Sequence, residues 1–216
     1  MTEYHKIETL YERDEKSFRL KPELILKNPV YGAVREWVWT EKVDGTNIRA
    51  IWSPTAEIPL TFGGKTDNAQ IHADLVRWLY ENITPEKMRS VFPESSVVLY
   101  GEGYGAGIQK GGGLLSPTKR FILFDVFVID TVNTRLGGWW LSDANMRDVA
   151  AKLGLDAVPL IGTMTLYEAA VKVRHGFKSA LNGGLADAEG MVGRPLEALY
   201  DKRGSRLIVK LKTKDF

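Results

Sequence analysis

The chain has 216 residues, which is enough for one large domain or two small ones. Hydrophobic residues make up 44% and aromatic residues 10%, as in ordinary globular proteins, and the net charge of +2 argues neither for nor against nucleic-acid binding. The absence of cysteine excludes disulfides and thiolate metal sites. The charged N-terminal segment lacks the apolar core of a secretory signal, and no apolar run approaches the roughly 20 residues of a membrane-spanning helix, so we expect a cytoplasmic protein without a membrane partner.

The first half of the chain predicts a β-hairpin followed by two helices. Residues 36–52 contain two runs rich in aromatic and β-branched residues, joined by the Asp-Gly pair at 44–45, which is a strong hairpin signal. Residues 71–83 have apolar side chains at helical spacing, and the Asp-Asn pair at 67–68 offers candidate caps upstream. The Thr-Pro pair at 84–85 predicts a second, short helix, because proline favours the first helical position.

The remaining elements predict a fold in which strands outweigh helices. One helix is predicted at 142–154, with Ser142 as its cap and Gly154 as its stop, and another at 165–176, which begins with a Thr-x-x-Glu capping box. Apolar, β-rich runs predict strands at 95–103, 120–130, 189–195 and 205–214. Strands and helices do not alternate strictly, so we predict an α+β fold of antiparallel sheets flanked by a few helices, forming one continuous domain over residues 1–216.

Three familiar motifs are excluded by their context. Residues 101–106 fit a relaxed dinucleotide-binding pattern, but the glycine-rich continuation cannot open the helix that this motif requires. Residues 63–66 end like a phosphate-binding P-loop, but the position of its first glycine is occupied by Pro59. The histidines, at positions 5, 72 and 175, do not have the spacing of zinc ligands.

Lys42 is the first candidate for chemistry. It stands at the end of a predicted strand in aromatic surroundings, directly before the Asp-Gly pair. A lysine attacks phosphorus only as the neutral amine, which burial and nearby cations favour. An ordinary lysine at the rim of a hairpin fits these residues equally well, because short motifs carry many false positives.

A nucleophilic lysine would need carboxylates, further cations and a slot for a base. Glu102 and Glu189 stand at strand ends, and Lys210 and Lys212 alternate with apolar residues, which places both on one face of a strand. Phe121 begins a strand and is aromatic. Each residue alone is better explained structurally, as a strand-end carboxylate, an edge-strand lysine or a core aromatic residue.

The order of these motifs is more specific than any one of them. The sequences KVDG, GEGYGAGIQKG, FILFDVFV, EGMV and KLK, in this order, resemble the signature of covalent nucleotidyltransferases, which comprise ATP-dependent RNA and DNA ligases and mRNA capping enzymes. The KVDGTN form with Asn47 and the GIQKG run are most similar to the RNA ligase 2-like family of RNA repair ligases. The resemblance covers residues 36–214.

The resemblance implies a nucleotidyltransferase (adenylation) domain that uses ATP and Mg²⁺ or Mn²⁺ and forms lysyl-AMP on Lys42. The resemblance also implies that Glu41 contacts adenine, that Phe121 stacks on adenine and that Glu102 contacts the ribose. It implies that Asn47 contacts the ribose or phosphate and the RNA end. Glu189 would coordinate the metal, and Lys210 and Lys212 would contact the α-phosphate. Cations at such positions would stabilise charge that develops on the phosphate oxygens.

Two features depart from the family pattern. Lys65 stands where the family usually has an arginine, and a lysine lacks the bidentate fork that binds phosphate. The chain ends at Phe216, directly after the last motif, so we expect no C-terminal OB or accessory domain and consider a partner protein as its replacement.

The resemblance therefore implies an ATP-dependent RNA ligase that adenylylates a 5′-phosphate end and seals it to a 3′-OH, with a nicked duplex as the expected substrate. The basic stretch at 201–214 is a candidate surface for the nucleic-acid backbone, although a solvated strand explains it equally well. A minimal ATP-dependent DNA ligase, a GTP-using capping enzyme and a non-catalytic module that binds nucleic-acid ends remain alternatives.

Overall fold

The computed structural model describes residues 3–17, 19–130 and 137–216, and every structural statement below concerns these residues. The chain forms two compact units. The first comprises Met1–Tyr4 and Asp44–Val158, and the second comprises His5–Val43 and Pro159–Phe216. The expectation of one continuous domain stays a prediction, and the two units are described separately.

The secondary structure confirms the predicted α+β class. The strands are β1 (Glu8–Thr9), β2 (Trp37–Glu41), β3 (Thr46–Trp52), β4 (Leu60–Gly63), β5 (Ser96–Tyr104), β6 (Arg120–Ile129), β7 (Gly138–Trp140), β8 (Leu160–Met164), β9 (Gly190–Pro195) and β10 (Val209–Lys212). The helices are α1 (Ala73–Asn82), α2 (Pro85–Val91), α3 (Gly112–Leu115), α4 (Asp143–Leu153) and α5 (Leu166–His175), with short 3-10 helices at Pro29–Ala33, Leu181–Gly184 and Thr213–Asp215.

The helix ends follow local sequence signals in most cases. Ser142 caps α4, which Gly154 ends in the left-handed conformation, and α5 begins with the predicted capping box. Helix α2 has proline in its first turn as predicted. The Asp-Asn pair at 67–68 does not cap α1, because His72 is the capping residue and its ring accepts a hydrogen bond from the backbone N–H of Asp74.

The first unit is built on a five-stranded antiparallel sheet in the order β4-β3-β5-β6-β7. One face of this sheet packs against α1, α2 and α4 around a core that includes Leu75, Leu79, Met88 and Met146. Because side chains alternate along a strand, the other face carries Asn47 and Arg49 of β3 and Glu102 of β5. The face away from the helices therefore carries polar side chains beside an aromatic group that includes Tyr100 and Trp140.

The second unit contains the sheet β1-β10-β9-β2-β8, in which only the β1–β10 pair is parallel. Its core joins Trp37 and Trp39 of β2 to Ala169 and Val173 of α5 and to the apolar residues of β10. This order brings the start of β9 between the end of β2 and the end of β10. The sheet thereby gathers chain segments that are far apart in sequence.

The predicted hairpin at 36–52 is wrong. β2 pairs with β8 and β9, whereas β3 pairs with β4 and β5, so the two strands belong to different sheets. Gly45 is required for a different reason than a hairpin turn. A Cβ there would lie 2.2 Å from the carbonyl oxygen of Gly103 and 2.8 Å from Cγ of Glu102, so the Asp-Gly signal reports a close approach to β5.

Among the described residues, no helix is both long enough and apolar enough to span a membrane.

Candidate functional site

Lys42 lies in the second unit at the end of β2, beside the start of β9. Its backbone N–H donates a 2.9 Å hydrogen bond to the carbonyl oxygen of Gly190, which extends the β2–β9 ladder by one residue. Its Nζ lies 2.5 Å from Oε2 of Glu189, and its side chain is 23% exposed. The structure therefore places Lys42 in a mostly buried ion pair, as opposed to a solvated rim position.

Glu189 connects two lysines. Its second carboxylate oxygen, Oε1, lies 2.6 Å from Nζ of Lys212. Burial acts to raise the pKa of Glu189, but the charges and hydrogen bonds of Lys42 and Lys212 outweigh it and lower that pKa overall. Glu189 is therefore held as a carboxylate that bridges two ammonium groups.

Lys210 shares a strand face with Lys212, as the alternation of the sequence predicts. Val209 and Leu211 are buried, and the two lysines between and after them are half-buried. Burial, and after it the neighbouring charges of Lys212, Lys42 and Arg13, together lower the pKa of Lys210 to about 8, against a smaller opposing effect of Glu8. The site is thus a group of cations gathered around the carboxylate of Glu189.

Gly190 allows the chain to come this close. It pairs with Lys212 across the β9–β10 ladder and has φ of +154°, a backbone conformation that a side chain would strain. A Cβ at this position would lie 2.0 Å from the carbonyl oxygen of Leu211. The glycine after Glu189 is therefore needed for the packing of β9 on β10.

Glu41, which precedes Lys42, is 2% exposed and faces the segment around Ser179. Ser179 lies 138 positions away in sequence, so no local pattern in the sequence could indicate this contact. Ser179 is therefore a residue of this unit to which the sequence analysis gave no role.

Asn47 and Glu102 lie in the first unit, opposite each other on β3 and β5. Oδ1 of Asn47 is buried, and no hydrogen-bond partner for it occurs in the described part of the chain. Beside them, Nε2 of Gln109 donates a 2.9 Å hydrogen bond to the carbonyl oxygen of Gly45. The KVDGTN and GIQKG motifs are therefore joined directly, and Gln109 is a second residue to which the sequence analysis gave no role.

Phe121 does not share a sheet face with Glu102. It is fully buried in the helix-covered core of the first unit, where its ring fills the space above Gly101 and contacts Trp78. Three positions further along β6, Phe124 is half-buried and packs against Tyr4, outside that core. The predicted stacking of Phe121 on adenine would require its ring to leave the core, so Phe124 is the better placed aromatic residue of this strand.

Lys65 lies in an exposed loop that a buried arginine holds in place. Arg49 is fully buried, its Nε donates to the carbonyl oxygen of Gly64 and its Nη2 donates to Asp67, both at 2.8 Å. Lys65 itself is exposed. Arg49 was not predicted as a functional residue, although a charged residue within an apolar strand was a visible signal.

The described residues contain no group of three or more His, Cys, Asp or Glu side chains that could hold a metal ion. Within the described residues, Glu189 is the carboxylate that pairs with Lys42 and Lys212. One carboxylate fits the way in which Mg²⁺ is bound together with substrate phosphates, as opposed to a cage made by protein alone. The donor set is therefore compatible with a metal that arrives with a nucleotide.

A cavity of about 560 Å³ adjoins the cluster in the second unit. Lys210 lines it together with the N-terminal segment, including Arg13, Lys21 and Lys27. Its wall also carries carboxylates, and two of these form ion pairs, Glu8 with Lys27 and Glu12 with Lys21. The β10 strand stands between β1 and β9, so the cavity adjoins the β1 side of β10, whereas β2, which Lys42 follows, lies beyond β9.

A family model described as RNA ligase matches residues 35–212. Among solved structures, the chain is similar to a point mutant of Naegleria gruberi RNA ligase without ligand, with a TM-score of 0.64 and 17% identity over 86% of this chain and 52% of that one. It is also similar to a mutant of that ligase with ATP and Mn, with a TM-score of 0.65 and 16% identity over 98% of this chain and 62% of that one.

A third similar structure is the same ligase with PPi, with a TM-score of 0.64 and 16% identity, covering 98% of this chain and 62% of that one. No curated protein matches the chain. The chain spans between 52% and 62% of the length of these three ligase structures, and at this identity the likeness shows the fold.

Proposed function

Because the chain belongs to the RNA ligase family, we propose that it is an ATP-dependent RNA ligase whose Lys42 becomes covalently adenylylated. The observation that carries this proposal is the cluster in the second unit. Nζ of Lys42 and Nζ of Lys212 lie 2.5 and 2.6 Å from the two oxygens of Glu189, with Lys210 on the same strand face as Lys212. Such a group is suited to a reaction that develops negative charge next to a lysine.

In the first step, Nζ of Lys42 loses a proton to solvent and attacks the α-phosphorus of ATP. A phosphoramidate bond forms, and the bond between the α-phosphorus and the bridging oxygen breaks to release pyrophosphate. Lys210 and Lys212 bind the oxygens of the α-phosphate and stabilise their charge in the transition state. Glu189 is the residue that would hold a divalent cation, which when bound would help to neutralise the phosphates.

The cavity next to Lys210 is the space that we assign to the β- and γ-phosphates. In phosphoryl transfer the attacking and leaving groups lie roughly in line on opposite sides of phosphorus. The cavity adjoins the β1 side of β10, whereas β9 and β2 lie on the other side of that strand, and we expect pyrophosphate to leave into the cavity. Arg13, Lys21 and Lys27 in its wall are paired with Asp215, Glu12 and Glu8, and phosphate would take the place of these carboxylates.

The remaining roles follow from the resemblance and stay predictions. In the first unit these are contacts with the nucleotide by Asn47 and Glu102, stacking by an aromatic residue of β6, and contact with phosphate by Lys65. In later steps, a 5′-phosphate end takes the AMP from Lys42, and a 3′-OH attacks that end and expels AMP. Oδ1 of Asn47 is buried and has no partner among the described residues, which supports its role, since buried polar atoms are normally paired.

Labelling with nucleotides tests the proposal and separates its alternatives. The protein should retain label from ATP labelled at the α-phosphate and none from ATP labelled at the γ-phosphate, in the presence of Mg²⁺. A non-catalytic module would retain neither, and a capping enzyme would prefer GTP.

The nucleic-acid substrate is tested in a second experiment. Nicked duplexes that differ only in an RNA or a DNA 3′-OH strand should be sealed at different rates. Faster sealing of the RNA strand supports the proposal. Equal or faster sealing of the DNA strand would favour a minimal DNA ligase.

A further inference from the structure

The carboxylate of Glu41 is held by two donors from one segment. Its Oε1 accepts a 2.5 Å hydrogen bond from the hydroxyl of Ser179, and its Oε2 accepts a 2.8 Å hydrogen bond from the backbone N–H of Ala180. Glu41 and Ser179 are each 2% exposed. Hydrogen bonds to a buried carboxylate are strong, and they fix both its position and the plane of its oxygens.

Ser179 is itself fixed from several sides. Its hydroxyl oxygen accepts a 3.1 Å hydrogen bond from the backbone N–H of Leu181, so its proton is directed to Glu41. Its backbone N–H donates to the carbonyl oxygen of Ala186 at 3.0 Å, which closes the segment back on itself. The serine therefore acts as a rigid support for Glu41.

We propose that Ser179 is a positioning residue that aims the carboxylate of Glu41 at the 6-amino group of adenine and thereby sets the preference for ATP. This inference rests on the proposed function, in which Glu41 contacts the base bound next to Lys42. A carboxylate oxygen has more than one acceptor site, so the bonds to Ser179 and Ala180 leave capacity for a further donor. Adenine presents a donor at C6, whereas guanine presents a carbonyl oxygen that the carboxylate would repel.

The inference is tested with Ser179→Ala, using ATP and the triphosphate of purine riboside, which carries hydrogen in place of the 6-amino group. For ATP we expect kcat/KM of adenylylation to fall about tenfold, mainly through KM, because a charged hydrogen bond loses its alignment. For the purine analogue we expect little change in kcat/KM. The ratio of kcat/KM for ATP to kcat/KM for the analogue should therefore fall. Ser90→Ala removes an exposed serine of α2 in the first unit and should behave as the wild type.

An equal loss for ATP and the analogue would overturn the inference, because it would show a structural effect without selectivity. If the alanine variant fails to fold, Ser179→Cys replaces it, because cysteine keeps the size of the side chain and is a weaker donor. Its preference for ATP over the analogue should lie between that of the wild type and no preference. An alanine variant that folds and keeps the full preference for ATP would also overturn it.

Equilibrium binding distinguishes failure of this inference from failure of the proposed function. ATP and the analogue are compared on Lys42→Ala with and without Ser179→Ala, so that no chemistry is required. If the double variant prefers ATP over the analogue less than Lys42→Ala alone does, the role of Ser179 is supported. This holds even if the wild type is never adenylylated and the proposed reaction is rejected. A parallel loss of both affinities overturns the role of Ser179.

Discussion

At the scale of single residues, the lysine side chains around Glu189 repel one another, and the carboxylate of Glu189 attracts them. Lys42 and Lys212 are both paired to the same carboxylate, and Lys210 lies near both of these lysines. Burial and the charges of these neighbours lower the pKa of Lys210 to about 8. An incoming phosphate would supply the negative charge that this group lacks.

The pKa of Lys210 gives a pH prediction. Because this pKa is lowered to about 8, Lys210 is a cation at pH 7 and becomes neutral as the pH rises through 8. A neutral amine cannot bind the α-phosphate as an ion, so KM for ATP in adenylylation should rise about tenfold between pH 7 and pH 9. The measurement is KM for ATP across this range with Mg²⁺ held constant.

Lys210→Arg is the control for this prediction. A guanidinium stays charged throughout this range, so the rise in KM between pH 7 and pH 9 should flatten in the variant. If the variant shows the same rise as the wild type, another group is responsible for it.

At the scale of elements, local patterns predicted those features that depend on neighbours in sequence. The caps of α4 and α5 and the alternation of Lys210 with Lys212 follow from spacings of a few residues. The pairing of β2 does not follow from such short spacings, because its partner strands β8 and β9 lie more than 100 residues away in sequence. The Asp-Gly pair was misleading for the same reason, since Gly45 is required by contact with β5.

The β9–β10 pairing that positions Glu189 depends on Gly190. Gly190→Ala should lower the free energy of unfolding by about 2–3 kcal/mol, because its Cβ would meet backbone 2.0 Å away in a strained conformation. It should also reduce adenylylation, since Glu189 and Lys212 would separate. Thermal or denaturant unfolding and the labelling assay measure these two effects.

Gly204→Ala is the matched variant. Gly204 also has a positive φ, of +77°, but a Cβ there would meet nothing within 4 Å. It should cost about 1 kcal/mol of backbone strain and leave adenylylation unchanged. Equal destabilisation by the two variants would contradict the role of close packing at Gly190.

At the scale of the whole molecule, the sequence motifs named the residues that meet in the lysine cluster of the second unit, but not the contacts that support them. The residues of the lysine cluster were named from their order along the chain, although Lys42 and Glu189 lie 147 positions apart. The contacts of Glu41 with Ser179 and of Gly45 with Gln109 arise only when the chain folds. No residue spacing could have shown them, nor that Phe121 faces the core.

The basic stretch at 201–214 leads to a prediction about substrate binding. If this stretch follows the phosphate backbone, the logarithm of the affinity for a nicked RNA duplex should fall linearly with the logarithm of the salt concentration. Arg203→Ala, which changes an exposed residue of this stretch, should reduce that slope by about one and leave adenylylation intact. Lys87→Ala, an exposed lysine of α2, is the control and should not change the slope.

The proposed function requires that Nζ of Lys42 form a covalent bond to AMP. After incubation with ATP and Mg²⁺, intact-mass measurement should show a gain of one AMP, and peptide mapping should place it on the peptide that contains Lys42. Lys42→Ala should show no gain, whereas Lys152→Ala, at an exposed lysine of α4, should gain AMP as the wild type does. An unchanged mass in the wild type, or AMP retained by Lys42→Ala, would contradict the claim.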